Sequence, residues 1–121
     1  ILLDQEREFI WRVHELLNSC GKNLGVGPRI LKQIAKYLVN LPSSDNKENI
    51  SRREGFDIQF VQRIMTKIRG QREQLYTIFE DEAENSLLKL FDEYSDVSDF
   101  VESKKVVDIK KQEIKDYGYT L

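Results

Sequence analysis

Apolar residues recur at three- and four-residue spacings along most of the chain, and this spacing restricts the fold more than any other feature. It is typical of amphipathic helices, which bury one face. The first such face, in residues 2–19, consists of Phe9, Val13, Leu16 and Leu17. The chain also has only two prolines and six glycines, too few for the many turns of a β-sandwich. We therefore predict an all-α fold.

Five helices are predicted, and they should form a small bundle. They cover 2–19, Pro28 to about Leu41, a third segment that closes at Gly70, about 72–94 and about 103–116. Proline suits the first position of a helix, which supports the start of the second. An acidic run in the middle of the fourth segment is placed to bend or break it.

Local signals also predict the helix ends and one loop. Gly21 should end the first helix in the left-handed conformation. Asp57 should cap the third helix, with Phe56 and Val61 as a hydrophobic staple across the cap. Between the second and third helices, residues 42–55 are polar and rich in turn formers. This composition predicts a surface loop.

Length and termini indicate one unit of a larger protein. We expect residues 1–121 to form a single helical domain. Because the chain starts with Ile1 and shows no leader pattern, we expect a fragment of a longer protein. The single cysteine, Cys20, excludes an internal disulfide and fits a reducing compartment. No apolar run approaches the ~18 residues that a membrane span needs. We expect a cytoplasmic protein that does not contact membranes.

The net charge is only −2, but the charges are unevenly distributed. Residues 22–72 contain eleven Lys and Arg against four Asp and Glu. Residues 80–102 contain nine acids against one lysine. Segments of opposite sign can dock on each other, or one of them can face a polyanion. Charge alone does not decide between these two interpretations.

Common catalytic and binding motifs do not match. Gly21-Lys22 lacks the hydroxyl residue and the upstream glycine of a P-loop. A dinucleotide fingerprint starting at Gly25 would need a third glycine where Ile30 stands. The only histidine is His14, and it lies six residues before the only cysteine, so the two face different ways around the first helix. We predict no metal site, and we interpret both residues as packing or surface groups.

One short segment breaks a local rule. Gly27 and Pro28 form a helix start, and Arg29 places a cation beside the free N–H groups there. A cation at this end opposes the helix dipole, at a cost of roughly 0.3–1 kcal/mol. The same helix start would bind an anion such as a terminal phosphate, with Arg29 as a clamp. The alternative is an ordinary exposed arginine after a loop.

Three segments together resemble the C-terminal lid of McrB-like AAA+ proteins. GPRILKQI at 27–34 is similar to the sensor-2 helix of AAA+ ATPases. DIQ at 57–59 followed by KIRGQREQL at 67–75 is similar to a motif of the McrB-like group, with Thr66 where that motif has proline. SKK at 103–105 through DYGYT at 116–120 looks like their closing helix and tail.

The resemblance implies an AAA+ lid that covers nucleotide held by a P-loop core on another part of the parent. Arg29 would be the sensor-2 arginine that reaches the γ-phosphate, and Gly27, Pro28 and Arg29 would form the nucleotide-binding helix start. Three further matching residues, with roles in helix termination and contact with the next subunit, are Lys67, Gly70 and Arg72.

The resemblance also implies cofactors and partners. The parent would use GTP or ATP with Mg²⁺, while this domain alone would bind no cofactor. It would be a ring-forming NTPase that powers a nuclease in DNA restriction and contacts DNA only indirectly.

Two other function classes stay open at this point. One is a protein-interaction bundle without a nucleotide role, which a buried, ion-paired Arg29 would favour. The other is a DNA-binding module, in which clustered basic residues would contact phosphates. Those residues would be Arg52, Arg53, Arg63, Lys67, Arg69 and Arg72. The near-neutral net charge and the acidic 80–102 segment argue against DNA binding.

Overall fold

The computed structural model describes residues 2–21, 24–41, 51–79 and 86–120. These ranges contain six α-helices and a two-stranded antiparallel sheet, so the all-α prediction is confirmed, with one helix more than expected. The helices are α1 (Asp4–Cys20), α2 (Pro28–Val39), α3 (Arg52–Arg63), α4 (Arg72–Phe79), α5 (Leu87–Glu93) and α6 (Val101–Tyr117). The strands are β1 (Gly70–Gln71) and β2 (Tyr119–Thr120), and a 3₁₀ turn spans Met65–Lys67.

The core is organised around one aromatic side chain of α1. Phe9 is fully buried, and its ring lies 4.8–6.2 Å, centroid to centroid, from five other aromatic rings. These rings come from α3, α5 and the segment that joins α5 to α6, and they belong to Phe56, Phe60, Phe91, Tyr94 and Phe100. One residue on α1 thus brings together parts of the chain that are up to 91 positions apart.

The end of α1 differs from the prediction. The helix ends at Cys20, but Gly21 has φ −179° and ψ 141°, which is extended backbone rather than the left-handed conformation. The N–H of Gly21 still donates to the carbonyl of Leu17. The glycine is therefore not required there by backbone conformation.

The start of α3 was also predicted wrongly. Its N-cap is Ser51, whose hydroxyl accepts from the N–H of Glu54, so residues 52–55 are helical rather than part of a loop. The rest of the predicted loop, 42–50, lies outside the described residues. Asp57 is buried in the middle of α3, where it cannot cap that helix. The predicted hydrophobic staple between Phe56 and Val61 is therefore wrong as well, because the helix does not begin between these two residues.

Asp57 caps a different helix. Its carboxylate accepts hydrogen bonds from the backbone N–H groups of Glu102 and Ser103 and from the Ser103 hydroxyl, at the first turn of α6. These donors lie 45 and 46 positions further along the chain. A side chain of α3 therefore fixes the start of α6, and the two helices pack closely.

Gly70 does not close α3, which ends at Arg63 and is followed by the 3₁₀ turn. Gly70 instead begins β1 with φ 152°, a conformation that favours glycine. Gly70 pairs with Thr120 and Gln71 with Tyr119, so the C-terminal strand is joined to the connection between α3 and α4.

The predicted fourth helix is two helices. Ser86 caps α5 by accepting from the N–H of Lys89, so α5 has its own start. The acidic run at 80–84, where a break was predicted, lies outside the described residues. A turn at 94–97 follows α5, and α6 starts two residues earlier than expected. Among the described helices, none is long and apolar enough to cross a membrane.

Candidate functional site at the start of α2

The loop before α2 is held on α1 by two side chains. The Nδ1 atom of His14 accepts a hydrogen bond of 2.9 Å from the N–H of Val26. The Nδ2 atom of Asn18 donates to the carbonyl of Leu24 at 3.2 Å. Gly25 allows this close docking, because a Cβ there would lie 2.7 Å from Cε1 of His14. His14 therefore has the packing role expected for it, and it fixes where α2 begins.

The start of α2 agrees with the sequence prediction. Gly27 is the N-cap, with extended backbone, and Pro28 follows at the first helical position. The N–H groups of Ile30 and Leu31 donate to the carbonyl of Gly27, which completes the first turn. No acidic side chain lies in this turn. The positive end of the helix dipole is therefore uncompensated by the helix's own residues.

Arg29 projects from this turn into solvent. Its side chain is exposed, and within the described part of the chain it has no hydrogen bond, ion pair or ring contact. It is not the buried, ion-paired residue that would favour a bundle without a nucleotide role. An exposed guanidinium next to a helix N-terminus can bind an anion bidentately, with backbone N–H groups beside it.

The second group of predicted residues surrounds β1. Lys67 ends the 3₁₀ turn and is exposed, Gly70 lies in β1, and Arg72 begins α4. The side chain of Arg72 lies outside what the structure describes. No hydrogen bond or ion pair between described atoms joins this group to Gly27, Pro28 or Arg29.

A buried lysine strengthens the contact between β2 and the rest of the domain. Lys110 donates from Nζ to the carbonyl of Ile68 at 3.0 Å and to Oγ1 of Thr120 at 3.4 Å. Burial lowers the pKa of Lys110 below its ordinary value, because it disfavours the charged ammonium. Thr120 in turn donates to Glu113 on α6. Sequence reasoning missed this cluster, because no local pattern pairs a lysine with a strand ten residues later.

Among the side chains that the structure describes, three of the six arginines and lysines proposed for DNA binding are engaged within the domain. Arg52 forms an ion pair with the buried Glu6 through two nitrogens, at 2.8 and 2.9 Å. This contact raises the pKa of Arg52. Arg63 donates to Gln59 and, across to α2, to Gln33. These groups hold helices together rather than forming a free basic surface.

The third engaged arginine is Arg53. It donates to the carbonyls of Ser95 and Asp96, both at 2.7 Å, and to the carboxylate of Asp99 at 2.8 Å. The basic α3 is thus neutralised in part by the acidic segment before α6. This is the docking of oppositely charged segments that the charge distribution allowed, and it argues against a DNA-binding face on α3.

Other chemistry is not supported within the described residues. No group of three or more His, Cys, Asp or Glu side chains there could hold a metal ion. Cys20 is half-buried, and burial raises the pKa of its thiol, which makes it a poor nucleophile. Arg29 at the start of α2 is therefore the strongest candidate for a functional group.

Comparison with protein families matches residues 1–119 to the family described as Domain of unknown function (DUF8727). The chain belongs to this family. The DUF8727 match covers α1 through the start of β2 and so includes both groups of predicted site residues. Comparisons with curated proteins and with solved structures found no match.

Proposed function

We propose that this DUF8727 domain is the C-terminal lid of an AAA+ nucleoside-triphosphatase and that Arg29 is its sensor-2 arginine. The P-loop core of the parent would bind GTP or ATP with Mg²⁺, and the lid would cover it. The arginine would contact the terminal phosphate and stabilise the charge that develops during hydrolysis.

The exposure of Arg29 is the observation on which the proposal rests. A guanidinium that must reach a phosphate on another domain has to be presented outward, without an internal partner. Arg29 meets both conditions among the described residues, and Pro28 and the docked loop fix the helix that holds it. An arginine that served only the fold would be expected to make contacts like those of Arg52 or Arg53.

The β1–β2 pairing gives further support. The segment at 67–75 and the tail at 116–120 were linked to the same family by sequence similarity alone. The antiparallel pairing of Gly70 with Thr120 places these two segments side by side. Their proximity suits a shared structural role, because Gly70, which lies between Lys67 and Arg72 in the sequence, pairs directly with the C-terminal strand.

The wider assignment follows from the same proposal. The parent would form a ring, with this lid contacting its own core and a neighbouring subunit. It would act in the cytoplasm and power a nuclease that restricts DNA, while the lid itself would contact DNA only indirectly. The gene sequence ahead of Ile1 should then encode a Walker A motif.

The test is the rate of nucleotide hydrolysis by the full-length parent. We expect Arg29→Ala to lower kcat by about 10²-fold or more, because it removes a charge that acts on the transition state. Arg29→Lys should restore only part of the rate, since an ammonium cannot bind bidentately. Both GTP and ATP should be assayed under saturating conditions.

Lys36→Ala is the matched control, because this exposed cation lies on the same helix, two turns from Arg29. Its turnover should stay within about twofold of the unmodified protein, as expected for a surface change. Equal turnover in the Arg29 and Lys36 variants would remove Arg29 from the mechanism.

A further inference from the structure

An apolar groove of about 510 Å³ runs between α1 and α2. Its walls include Ile10 and Trp11 from α1 and Leu31 and Ala35 from α2, and Val26 of the connecting loop lines it as well. Trp11 is 61% exposed, the only tryptophan of the chain, and its ring stacks on His14. An exposed aromatic beside an apolar groove is typical of a protein contact site.

The groove follows both helices for the same length. Its α1 residues are spaced as i, i+3, i+4 and i+7 from Arg7 to His14, and its α2 residues have the same spacing from Pro28 to Ala35. Seven residues of helix span about 10 Å, or two turns. Each helix therefore lines the groove over about two turns. Among the described elements the main packing partner of α2 is α3, and none of the other described helices packs extensively on the side of α2 that faces the groove.

The rim is cationic. Arg7 lines one wall and Lys32 the other, and both are exposed. Within the described residues, neither side chain has a hydrogen bond or an ion pair. No aspartate or glutamate is among the described residues that line the groove. The positive end of α2, at Pro28, adds to the same field.

We propose that this groove docks an amphipathic helix of a partner protein, with apolar residues on one face and acidic residues along its flanks. The apolar face would cover Trp11 and Leu31, and the acids would pair with Arg7 and Lys32. This is the helix-in-groove mode of recognition. The proposal does not use Arg29, and it shares with the proposed nucleotide site only the start of α2 at Pro28.

The open shape favours a helix over a small molecule. Sites for small ligands usually enclose most of the ligand surface. This groove is neither enclosed nor flat, and its two cationic side chains, Arg7 and Lys32, belong to different helices. A helix laid along it would contact both rims at once.

The test is a selection of displayed helical peptides with randomised positions on the 121-residue chain. We expect enriched peptides to have apolar residues at i, i+3, i+4 and i+7 with Asp or Glu beside them. Their binding should shift the fluorescence of Trp11, which reports directly on the groove. The double variant Arg7→Glu with Lys32→Glu should weaken binding by about tenfold at low salt and should favour Lys-flanked peptides instead.

The control is Lys104→Glu with Lys115→Glu, which reverses two exposed charges on α6 and should change affinity by less than about twofold. Leu31→Asp should abolish binding, with circular dichroism confirming the helical fold. The proposal is overturned if no such peptides are enriched, or if their affinity is unchanged by the substitutions at Arg7, Lys32 and Leu31. It is also overturned if dodecanoate or GTP shifts Trp11 fluorescence and displaces every enriched peptide, since the groove would then be a small-anion site.

Discussion

Charged side chains have opposite environments in two regions of the molecule, the junction of α3 with α6 and the start of α2. At the junction, Asp57 is 4% exposed, and its carboxylate accepts three hydrogen bonds from the first turn of α6. At the start of α2, Arg29 is exposed and has no partner among the described residues. One charged group is fully occupied by the fold, and the other is left available.

This difference separates charges that the fold uses from charges that it leaves exposed. A buried carboxylate is stable only when donors surround it, because an unpaired buried charge is strongly unfavourable. An exposed arginine that opposes its own helix dipole does not stabilise its helix, so we expect its role to lie outside the fold. Arg7 and Lys32 on the groove rim are exposed and make no side-chain hydrogen bond or ion pair with described residues, as is the case for Arg29. Arg52 and Arg53, in contrast, form contacts within the fold, as Asp57 does.

The largest expected effect on stability contrasts two aromatic residues of α1. Phe9→Ala should lower the free energy of unfolding by about 3–5 kcal/mol, because it leaves a cavity where five rings meet. Trp11→Ala, two residues away on the groove side, should lower it by less than about 1 kcal/mol. Urea unfolding measures both. Similar losses would mean that the groove wall is part of the core.

An intermediate effect tests the junction. Asp57→Ala should lower the free energy of unfolding by about 2–4 kcal/mol, since it removes the α6 cap and leaves buried donors unpaired. Asp108→Ala removes an exposed carboxylate from α6 itself and should change stability by less than about 0.5 kcal/mol. If the two variants unfold alike, the buried carboxylate does not hold α6 in place.

The smallest effect tests the start of α2. Arg29→Ala should leave stability unchanged or raise it by up to about 0.5 kcal/mol, because a cation at a helix N-terminus is unfavourable. Lys36 lies in the last turn, where a cation is favourable, so Lys36→Ala should lower stability by a few tenths of a kcal/mol. A clear loss of stability in Arg29→Ala would show that this arginine serves the fold.

Much of the helical architecture follows from local signals in the sequence. The apolar spacing predicted α1, α2 and α6 to within a few residues, and Pro28 marked the start of α2 correctly. Arg29 is also exposed, as the lid interpretation requires. The sequence also contains a local signal for the start of α3, since Ser51-Arg52-Arg53-Glu54 has the spacing of a capping box.

The long-range contacts could not be predicted in this way. An aspartate suits any helix start, and only the fold determines that Asp57 caps a helix 45 positions away. Strands of two residues are too short to show an alternation of apolar and polar residues in the sequence. The pairing of Gly70 with Thr120 could therefore not be predicted from periodicity. The groove depends on the distance between α1 and α2, which spacing along the chain does not define.

The most direct test of the central claim measures kcat and stability on the same protein. Full-length Arg29→Ala should unfold at the same urea concentration as the unmodified parent but hydrolyse nucleotide about 10²-fold more slowly. That combination would separate the phosphate role from any role in the fold. Unchanged turnover, or a parent protein without a nucleotide-binding core, would contradict the assignment of Arg29 to phosphate.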